Sequence, residues 1–290
     1  MNKLYEFLFV SNLKGVGKKT LYKKYLSAIR DCENSSDLKE NYLPRIKTIS
    51  EIEIQKALDN ASAEQERIKS SSNIEALTIL DEKYPDQLRA LKDSAPPVLY
   101  IKGDATALTR QNIAIVGTRN PSEHSIKVEK NLVSKIIELS DRTIVSGLAM
   151  GCDAVAHETA LERQGRTVAV LPSGVENIVP SQNSRLANSI VEQDGCLISE
   201  YPVNATAYRG TFIDRDSLIA ALSDIVIVVE CGINSGTMHT VNAARKLNKP
   251  TACYYPVDLS QGIYDGNVYM VNNLSAKALR NTEDLKELLG

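Results

Sequence analysis

The sequence predicts an α/β protein built on a mostly parallel sheet and preceded by a small helical domain. From Asn112 onward, six apolar runs alternate with helix-like segments: NIAIVG, TIVSG, TVAVLP, LISEY, DIVIVVE and TACYY. Continuous Ile and Val runs are typical of strands buried on both faces, and their alternation with helices indicates a doubly wound parallel sheet. We therefore expect residues 112 to about 256 to form this sheet, flanked by helices.

The chain divides into two predicted domains, residues 1–72 and 76–290. Residues 1 to about 70 are rich in Lys, Glu and Ser with helical apolar spacing, which indicates a small helical domain. The segment ALTILDEKYPDQLRALKDSAPPVLYIKGD then predicts a strand, a Tyr-Pro turn, one helical turn, a Pro-Pro stop and a second strand. We interpret this segment as a lead-in to the sheet.

Composition limits the kind of function that the chain can have. Its 290 residues carry 43% hydrophobic and 24% charged side chains and a formal net charge of −2. Any nucleic-acid binding must therefore come from a local basic patch and not from the field of the whole protein. No signal-peptide pattern and no apolar stretch of membrane-spanning length is present, so we expect a cytoplasmic protein. The five cysteines are scattered without a C-x-x-C pair, which favours reduced thiols.

Ligands of doubly wound sheets bind outside the carboxyl ends of the strands, so the residues after each strand are the candidate site. After the first run, Gly117 permits a tight turn, and Thr118, Arg119 and Ser122 follow at the start of a helix. Backbone amides, the helix dipole and a guanidinium together suit an anion. The alternative interpretation of this loop alone is a plain turn with a surface arginine.

Two further strand ends carry similar residues. The loop after TIVSG holds Ser146, Gly147 and Gly151, whose small size suits the close approach of a phosphate or a sugar. The alternative is that Asp153 only caps the next helix and that His157 packs against the sheet. After DIVIVVE, the residues that open a helix are Ser235, Gly236 and Thr237. We expect the three loops to line one cleft.

The N-terminal segment LKGVGKKTLYKKYL has the pattern of a helix-hairpin-helix turn. Its glycines Gly15 and Gly17 free the backbone to approach a phosphate, and the candidate phosphate-binding side chains beside them are Lys14, Lys18 and Lys19. An ordinary tight turn with a solvated lysine face explains the same pattern. The two interpretations stay open.

In order and spacing, the motifs IVGTRNPS, SGLAMGCDAVAH, TVAVLPSGVENIVPSQN, LISEYP, FIDRDSLIAALSDIVIVVE and SGTMHT resemble those of the DprA/Smf family of DNA-processing proteins. The resemblance covers about residues 76–290. It implies an extended Rossmann-like domain behind a helix-hairpin-helix or SAM-like N-terminal domain, without the C-terminal winged-helix domain of many members. It also implies a homodimer that binds single-stranded DNA in a basic groove and loads the recombinase RecA during transformation.

The resemblance assigns site residues position by position. Arg119 matches the arginine of the family's VG-S/T-R motif, and Arg215 matches the first arginine of F-x-x-R-N-R. Asn183 matches the asparagine of Y-P-x-x-N. The chain departs from the family where Asp216 and Ser217 replace the last two residues of R-N-R, which removes one cation and adds a carboxylate. A second departure is in the Y-P-x-x-N motif, where Val179 replaces the tyrosine and no lysine lies near Asn183 in the sequence. Arg185 and Arg209 are the candidates to substitute for that lysine.

Three functions remain as hypotheses from the sequence. A non-catalytic mediator that binds single-stranded DNA fits the full motif order, and the weakened arginine motif leaves room for a sensor of a nucleotide-derived ligand. A phosphoribohydrolase acting on nucleoside monophosphates ranks last, because CGINSGTMHT lacks the glycine pair and the glutamate of P-G-G-x-G-T-x-x-E. Because the sequence contains no catalytic triad, Walker loop or metal-ligand spacing, we expect no enzyme activity, cofactor or metal.

Overall fold

The computed structural model describes residues 3–31, 49–257 and 262–290. The helices are α1 Leu4–Ser11, α2 Lys18–Lys24, α3 Leu26–Asp31, α4 Glu51–Ser70, α5 Asp86–Arg89, α6 Glu123–Leu139, α7 Cys152–Glu162, α8 Ser184–Glu192, α9 Arg209–Leu222, α10 Thr237–Lys246, α11 Asp265–Leu274 and α12 Thr282–Leu289. The strands are β1 Ile74–Thr78, β2 Val98–Gly103, β3 Asn112–Val116, β4 Thr143–Ser146, β5 Thr167–Val170, β6 Cys196–Ser199, β7 Ile225–Val228, β8 Thr251–Tyr254 and β9 Lys277–Leu279.

The described strands form one sheet in the order β1-β2-β6-β5-β4-β3-β7-β8-β9. All pairs from β6 through to β9 are parallel, which confirms the doubly wound parallel sheet. The chain moves outward from β3 to β6, then returns beside β3 as β7 and continues to the other edge. The order of the strands therefore reverses between β3 and β7, where such sheets bind their ligands.

Both faces of the central strands are buried, as their continuous apolar runs predict. Along β3, Ile113 and Ile115 pack in one hydrophobic cluster, while Ala114 and Val116 pack in the cluster on the opposite face. This alternation follows from the two-residue period of a strand. Helices α6, α7 and α12 cover the first face, and α9 and α10 cover the second.

The lead-in segment adds two antiparallel strands to the parallel sheet. β1 pairs with β2, and β2 pairs with β6, both in the antiparallel sense. The short helix α5 follows Pro85 between these strands, as the Tyr-Pro turn predicts. The hydroxyl of Tyr84 donates to the carbonyl of Pro96 at 2.9 Å and so ties the two proline turns together.

The N-terminal helices pack on the sheet and share one of its hydrophobic clusters, which includes Phe7 in α1 and Ile101 in β2. The long helix α4 begins at a capping box in which Ser50 and Glu53 satisfy each other's backbone amides. Its buried Glu64 accepts a hydrogen bond from the backbone amide of Val203 at 2.6 Å. The helical content of this region is confirmed, while the division of the chain at residue 72 stays a prediction.

Two expectations from the sequence concern the cysteines and the possibility of a membrane-spanning helix. Cys152, Cys196, Cys231 and Cys253 are free and buried, while Cys32 lies outside the described residues. In the described ranges, no helix has both the length and the apolar character that a membrane crossing requires.

Candidate nucleic-acid cleft

The loops after β3, β4 and β7 line one cleft of about 660 Å³ at the carboxyl ends of these strands. The three loops contribute Thr118 and Arg119, Ala149 and Asp153, and the segment 235–237, respectively. Helix α9 forms the remaining wall. The expectation that the three strand-end loops lie together is therefore confirmed.

The loop after β3 is held in place by Glu230. The buried Glu230 accepts hydrogen bonds at Oε2 from both the backbone amide and the hydroxyl of Ser122, at 3.0 and 2.9 Å. The backbone amide of Thr118 donates to the carbonyl of Glu230 at 2.8 Å. These bonds fix the backbone on both sides of Arg119, so its side chain extends from a rigid turn.

Two glycines in the loop after β4 allow close packing at the back of the cleft. Gly151 has φ +79°, a left-handed conformation that favours glycine, and a Cβ there would overlap the backbone of Thr118 and Arg119. A Cβ on Gly147 would overlap the guanidinium of Arg215. The lack of a side chain at Gly151 therefore makes room for the backbone of Thr118 and Arg119, and its lack at Gly147 makes room for the guanidinium of Arg215.

The guanidinium of Arg215 is buried among protein partners and only 5% of the residue is exposed. Its Nε donates to Asp216 Oδ1 at 2.9 Å, its Nη1 donates to the carbonyl of Gly147, and Asp153 Oδ2 lies 3.9 Å from Nη1. Burial raises the pKa of Asp153 and of Asp216, and the charge of Arg215 opposes both shifts. The two carboxylates offset the positive charge that Arg215 brings to the cleft.

The open cations of the cleft are Arg119 and Arg209, which are exposed. Neither forms an ion pair within the described ranges. The guanidinium carbon of Arg119 lies 5.7 Å from the centre of the Phe212 ring, a cation–π distance that holds the arginine over the cleft. Helix α10 also begins at the cleft and directs the positive end of its dipole there.

Exposed apolar side chains lie in or beside the segments that line the cleft. Ile213 of α9 lines the cleft itself. Three others are exposed close to lining residues along the chain: Met150 follows Ala149, Tyr208 precedes Arg209, and Ile233 lies two residues before Ser235. Tyr208 is 63% exposed, and its ring lies over Gly210. Apolar and aromatic side chains beside arginines are suited to stack on nucleobases while the arginines contact phosphates.

The family model described as DNA recombination-mediator protein A matches residues 75–290. The chain belongs to this family. DNA processing protein DprA of Bacillus subtilis is 33% identical over 217 residues, which are 74% of this chain and 71% of that protein. Protein Smf of Synechocystis is 39% identical over 181 residues, 61% of this chain but 45% of that protein. This chain therefore spans less than half the length of the Synechocystis relative.

Two solved structures of DNA processing protein A resemble the model. The protein from Streptococcus pneumoniae aligns over 99% of this chain and 98% of its own, with a TM-score of 0.75 and 25% identity. The protein from Helicobacter pylori, whose structure is described for its single-stranded DNA binding mode, aligns over 74% of this chain and 95% of its own, with a TM-score of 0.66 and 30% identity. The Rossmann-like fold of the family is thus confirmed for this chain.

About half of the predicted site residues line the cleft. These are Gly117, Thr118, Arg119, Arg215, Ser235, Gly236 and Thr237. Others lie behind its wall and brace it: the buried hydroxyl of Ser146 donates to the carbonyl of Ile115, and the Asn183 amide donates to the carbonyls of Leu148 and Ala149. Their contact with a ligand stays a prediction.

The lysines of the N-terminal hairpin lie outside this cleft. Lys14 pairs with Glu53 at 2.7 Å, and Lys18 pairs with Glu200, whose side chain is 1% exposed. Burial raises the pKa of Glu200, and the Lys18 charge works against that shift. Lys19 is exposed and lines a neighbouring groove. The three lysines that the sequence groups together thus have three different environments.

Phe212, Tyr208 and His239 are cleft or rim residues that sequence reasoning did not select, and it considered Arg209 only as a substitute cation. Phe212 is the phenylalanine of the family motif F-x-x-R-N-R, which was used only for its arginine. Tyr208 directly precedes α9 and Arg209 is its first residue, at a helix start that lies at the carboxyl edge of the sheet. The position of that helix start was the signal that could have identified them.

A buried carboxyl group lies behind the cleft. Glu129 of α6 is fully buried, and the thiol of Cys152 is a polar group beside its carboxyl group. Its neighbour Cys152 packs so closely on Gly117 that a Cβ atom added to this glycine would overlap the Cys152 sulfur. Burial raises the pKa of Glu129 well above its usual value, and Asp153 and Glu230 add to this shift. The folded protein therefore favours the protonated form of Glu129.

Replacing Glu129 by glutamine is expected to reduce the loss of stability with rising pH. A raised pKa in the folded state gives stability that is present at low pH and is lost as the pH rises through that pKa. When the pH rises from 5 to 8, the unfolding free energy of the natural sequence should fall by at least about 1 kcal/mol more than that of the Glu129→Gln variant, because one pKa unit corresponds to about 1.4 kcal/mol. Urea unfolding at several pH values measures this. The exposed Glu158→Gln is the control, and parallel curves for Glu129→Gln and the natural sequence would contradict the expectation.

No group of three or more His, Cys, Asp or Glu side chains in the described part of the chain could hold a metal ion. The buried His157 contacts Thr167 Oγ1 through Nδ1 at 2.6 Å, and burial lowers its pKa to about 3. It packs against the sheet, as the alternative interpretation of its motif states.

Proposed function

We propose that this chain is a recombination mediator that binds single-stranded DNA in the cleft at the carboxyl ends of β3, β4 and β7. The observation that carries the proposal is the pair of exposed arginines, Arg119 and Arg209, which form no ion pair in the described part of the chain and line the cleft together with Phe212 and Ile213. Arginines bind the phosphate backbone without regard to sequence. Aromatic and apolar side chains stack on bases that a duplex would keep inside.

The relatives support the same assignment. Membership in the recombination-mediator family supports a role in DNA processing. The structure of the Helicobacter pylori protein, described for binding single-stranded DNA, aligns with 74% of this chain. The match between the arginine of VG-S/T-R and Arg119 supports the proposal that this loop contacts DNA.

The proposal includes two partners that come from the family resemblance. One is a RecA-type recombinase, which receives the strand during transformation, and the other is a second copy of the chain. A two-fold pair would set two clefts side by side, which raises the affinity for a long strand by linking two binding events.

A nucleotide sensor and a phosphoribohydrolase are the competing functions. The glutamate nearest to the loop after β7 is Glu230, which is 4% exposed and holds Ser122 through Oε2. A buried carboxylate with this structural role is a poor candidate for proton transfer to a substrate. The sensor and the mediator differ in the ligand that fills the cleft.

Titration with three ligands tests the proposal. We expect an oligothymidylate of about 20 nucleotides to bind more tightly than a duplex of the same length, and adenosine monophosphate to compete only weakly. The logarithm of the affinity should fall linearly with the logarithm of salt concentration, by about 0.7 for each phosphate contacted. Tighter binding of the mononucleotide than of the oligomer would support the sensor and contradict the proposal.

A further inference from the structure

A second groove, of about 790 Å³, opens beside the cleft. It lies between the N-terminal hairpin, the segment 90–94 that follows α5, and the outer faces of α9 and α10. Leu91, Leu218 and Leu247 supply apolar surface, while Thr20, Ser94 and Asn242 supply hydrogen-bonding groups. A groove with apolar surface and polar groups suits a strand that has both bases and phosphates.

Two lysines of this groove are open to a ligand. Lys19 of α2 and Lys246 of α10 are exposed, and neither has an ion pair among the residues that the structure describes. The third lysine of the groove, Lys18, is paired with Glu200. The carboxylates of Asp93 and Asp214 also line the groove, and Asp214 accepts a hydrogen bond from the Tyr201 hydroxyl at 2.7 Å. Lys19 and Lys246 are thus the cations available to a phosphate.

The groove adjoins the cleft. Ile213 of α9 and His239 of α10 line both spaces and so form the boundary that the two share. Arg119 and Arg209 line the cleft on one side of this boundary, and the two lysines line the groove on the other. A strand bound in the cleft can therefore continue past His239 without leaving the protein surface.

We propose that the backbone of a longer single strand leaves the cleft across Ile213 and His239 and occupies this groove, where Lys19 and Lys246 bind its phosphates. The inference rests on the proposed function, because the strand enters the groove from the cleft. It assigns a role to one lysine of the N-terminal hairpin and adds Lys246, which no motif indicates. Lys14 and Lys18 serve instead to hold the hairpin against α4 and against Glu200 after β6.

The test compares a short and a long oligothymidylate, of about 4 and about 20 nucleotides, because single folds bind about 4 to about 16 nucleotides. In the full chain, Lys19→Gln with Lys246→Gln should weaken binding of the long oligomer about tenfold at low salt and leave the short one unchanged. The slope of log affinity against log salt for the long oligomer should fall by about 1.4, which is two contacts at about 0.7 each. Lys23→Gln with Lys130→Gln, which changes two exposed lysines outside the groove, is the matched control and should change neither.

The outcomes separate this inference from the proposed function. Loss of long-oligomer affinity in the groove variant alone supports the inference. An unchanged groove variant, in a protein whose binding depends on Arg119 and Arg209, overturns the groove and leaves the cleft in place. Equal weakening of both oligomers, or equal weakening by the control lysines, indicates a general effect of charge and also overturns the groove. If the natural chain binds neither oligomer, both proposals fail.

Discussion

Replacement of Arg119 and Arg209 by glutamine together lowers the affinity for single-stranded DNA about 100-fold at low salt. A hydrogen bond to a charged group contributes about 1.5 kcal/mol or more, which is about tenfold for each arginine. The salt slope should also fall by about 1.4, because two phosphate contacts are removed. Both side chains are exposed, so the thermal unfolding temperature should change little. Fluorescence anisotropy with labelled oligothymidylate at several salt concentrations measures both quantities.

The control for this pair is Arg163→Gln with Arg245→Gln, which removes the same charge from exposed positions outside the cleft. We expect a much smaller loss for the control at the same salt concentration, because these arginines contact no phosphate in the cleft and act only through the screened field of the protein. Equal losses in the two variants would mean that net charge, and not the cleft, determines binding. The cleft assignment would then be wrong.

Replacement of Arg215 by methionine should destabilise the protein by about 3 kcal/mol at neutral pH. Removing one member of a buried ion pair leaves its partner uncompensated, here Asp153 and Asp216, and typically costs about 3–5 kcal/mol. Burial already raises the pKa of both aspartates, and loss of the arginine raises them further. Groups with raised pKa lose their stabilising effect as the pH rises, so the variant should be closer to the natural sequence at pH 5 than at pH 8.

Denaturant unfolding at both pH values measures this effect. Asp216→Asn is the informative control, because it keeps Arg215 beside Asp153 and replaces only one carboxylate. Its loss should be about 1 kcal/mol, the usual net contribution of one hydrogen bond. An Arg215→Met variant as stable as the natural sequence would show that the aspartates do not depend on the arginine. Arg215 would then be free to serve a ligand, as its motif suggests.

Much of the fold could be predicted from the sequence because the central strands can be recognised from their own continuous apolar residues. Runs such as IVIVV are buried on both faces, and this pattern distinguishes them from surface strands without any knowledge of their neighbours. The antiparallel pairing of β2 with β6 was not predicted. It joins residues about 100 positions apart, and no local pattern encodes such a register.

The location of the site could be predicted from the sequence, but many of the contacts of its side chains could not. Parallel strands place their carboxyl ends at one edge, so the loops at Gly117, Ser146 and Ser235 could be grouped from their order alone. Whether an arginine faces a ligand or a carboxylate depends on tertiary neighbours. Arg119 and Arg215 look alike in their motifs, but the first is open while the second is held by Asp216 and Gly147.

The two outer strands of the sheet affect how copies of this protein can meet. β1 has five residues, of which only Glu75 is exposed, and β9 has three residues. Long, exposed edge strands template the addition of further strands and promote aggregation, whereas short edges with charged residues discourage it. Strand exchange between molecules is therefore disfavoured at both ends. A pair of these chains would join through helices or loops, and its sheets would stay separate.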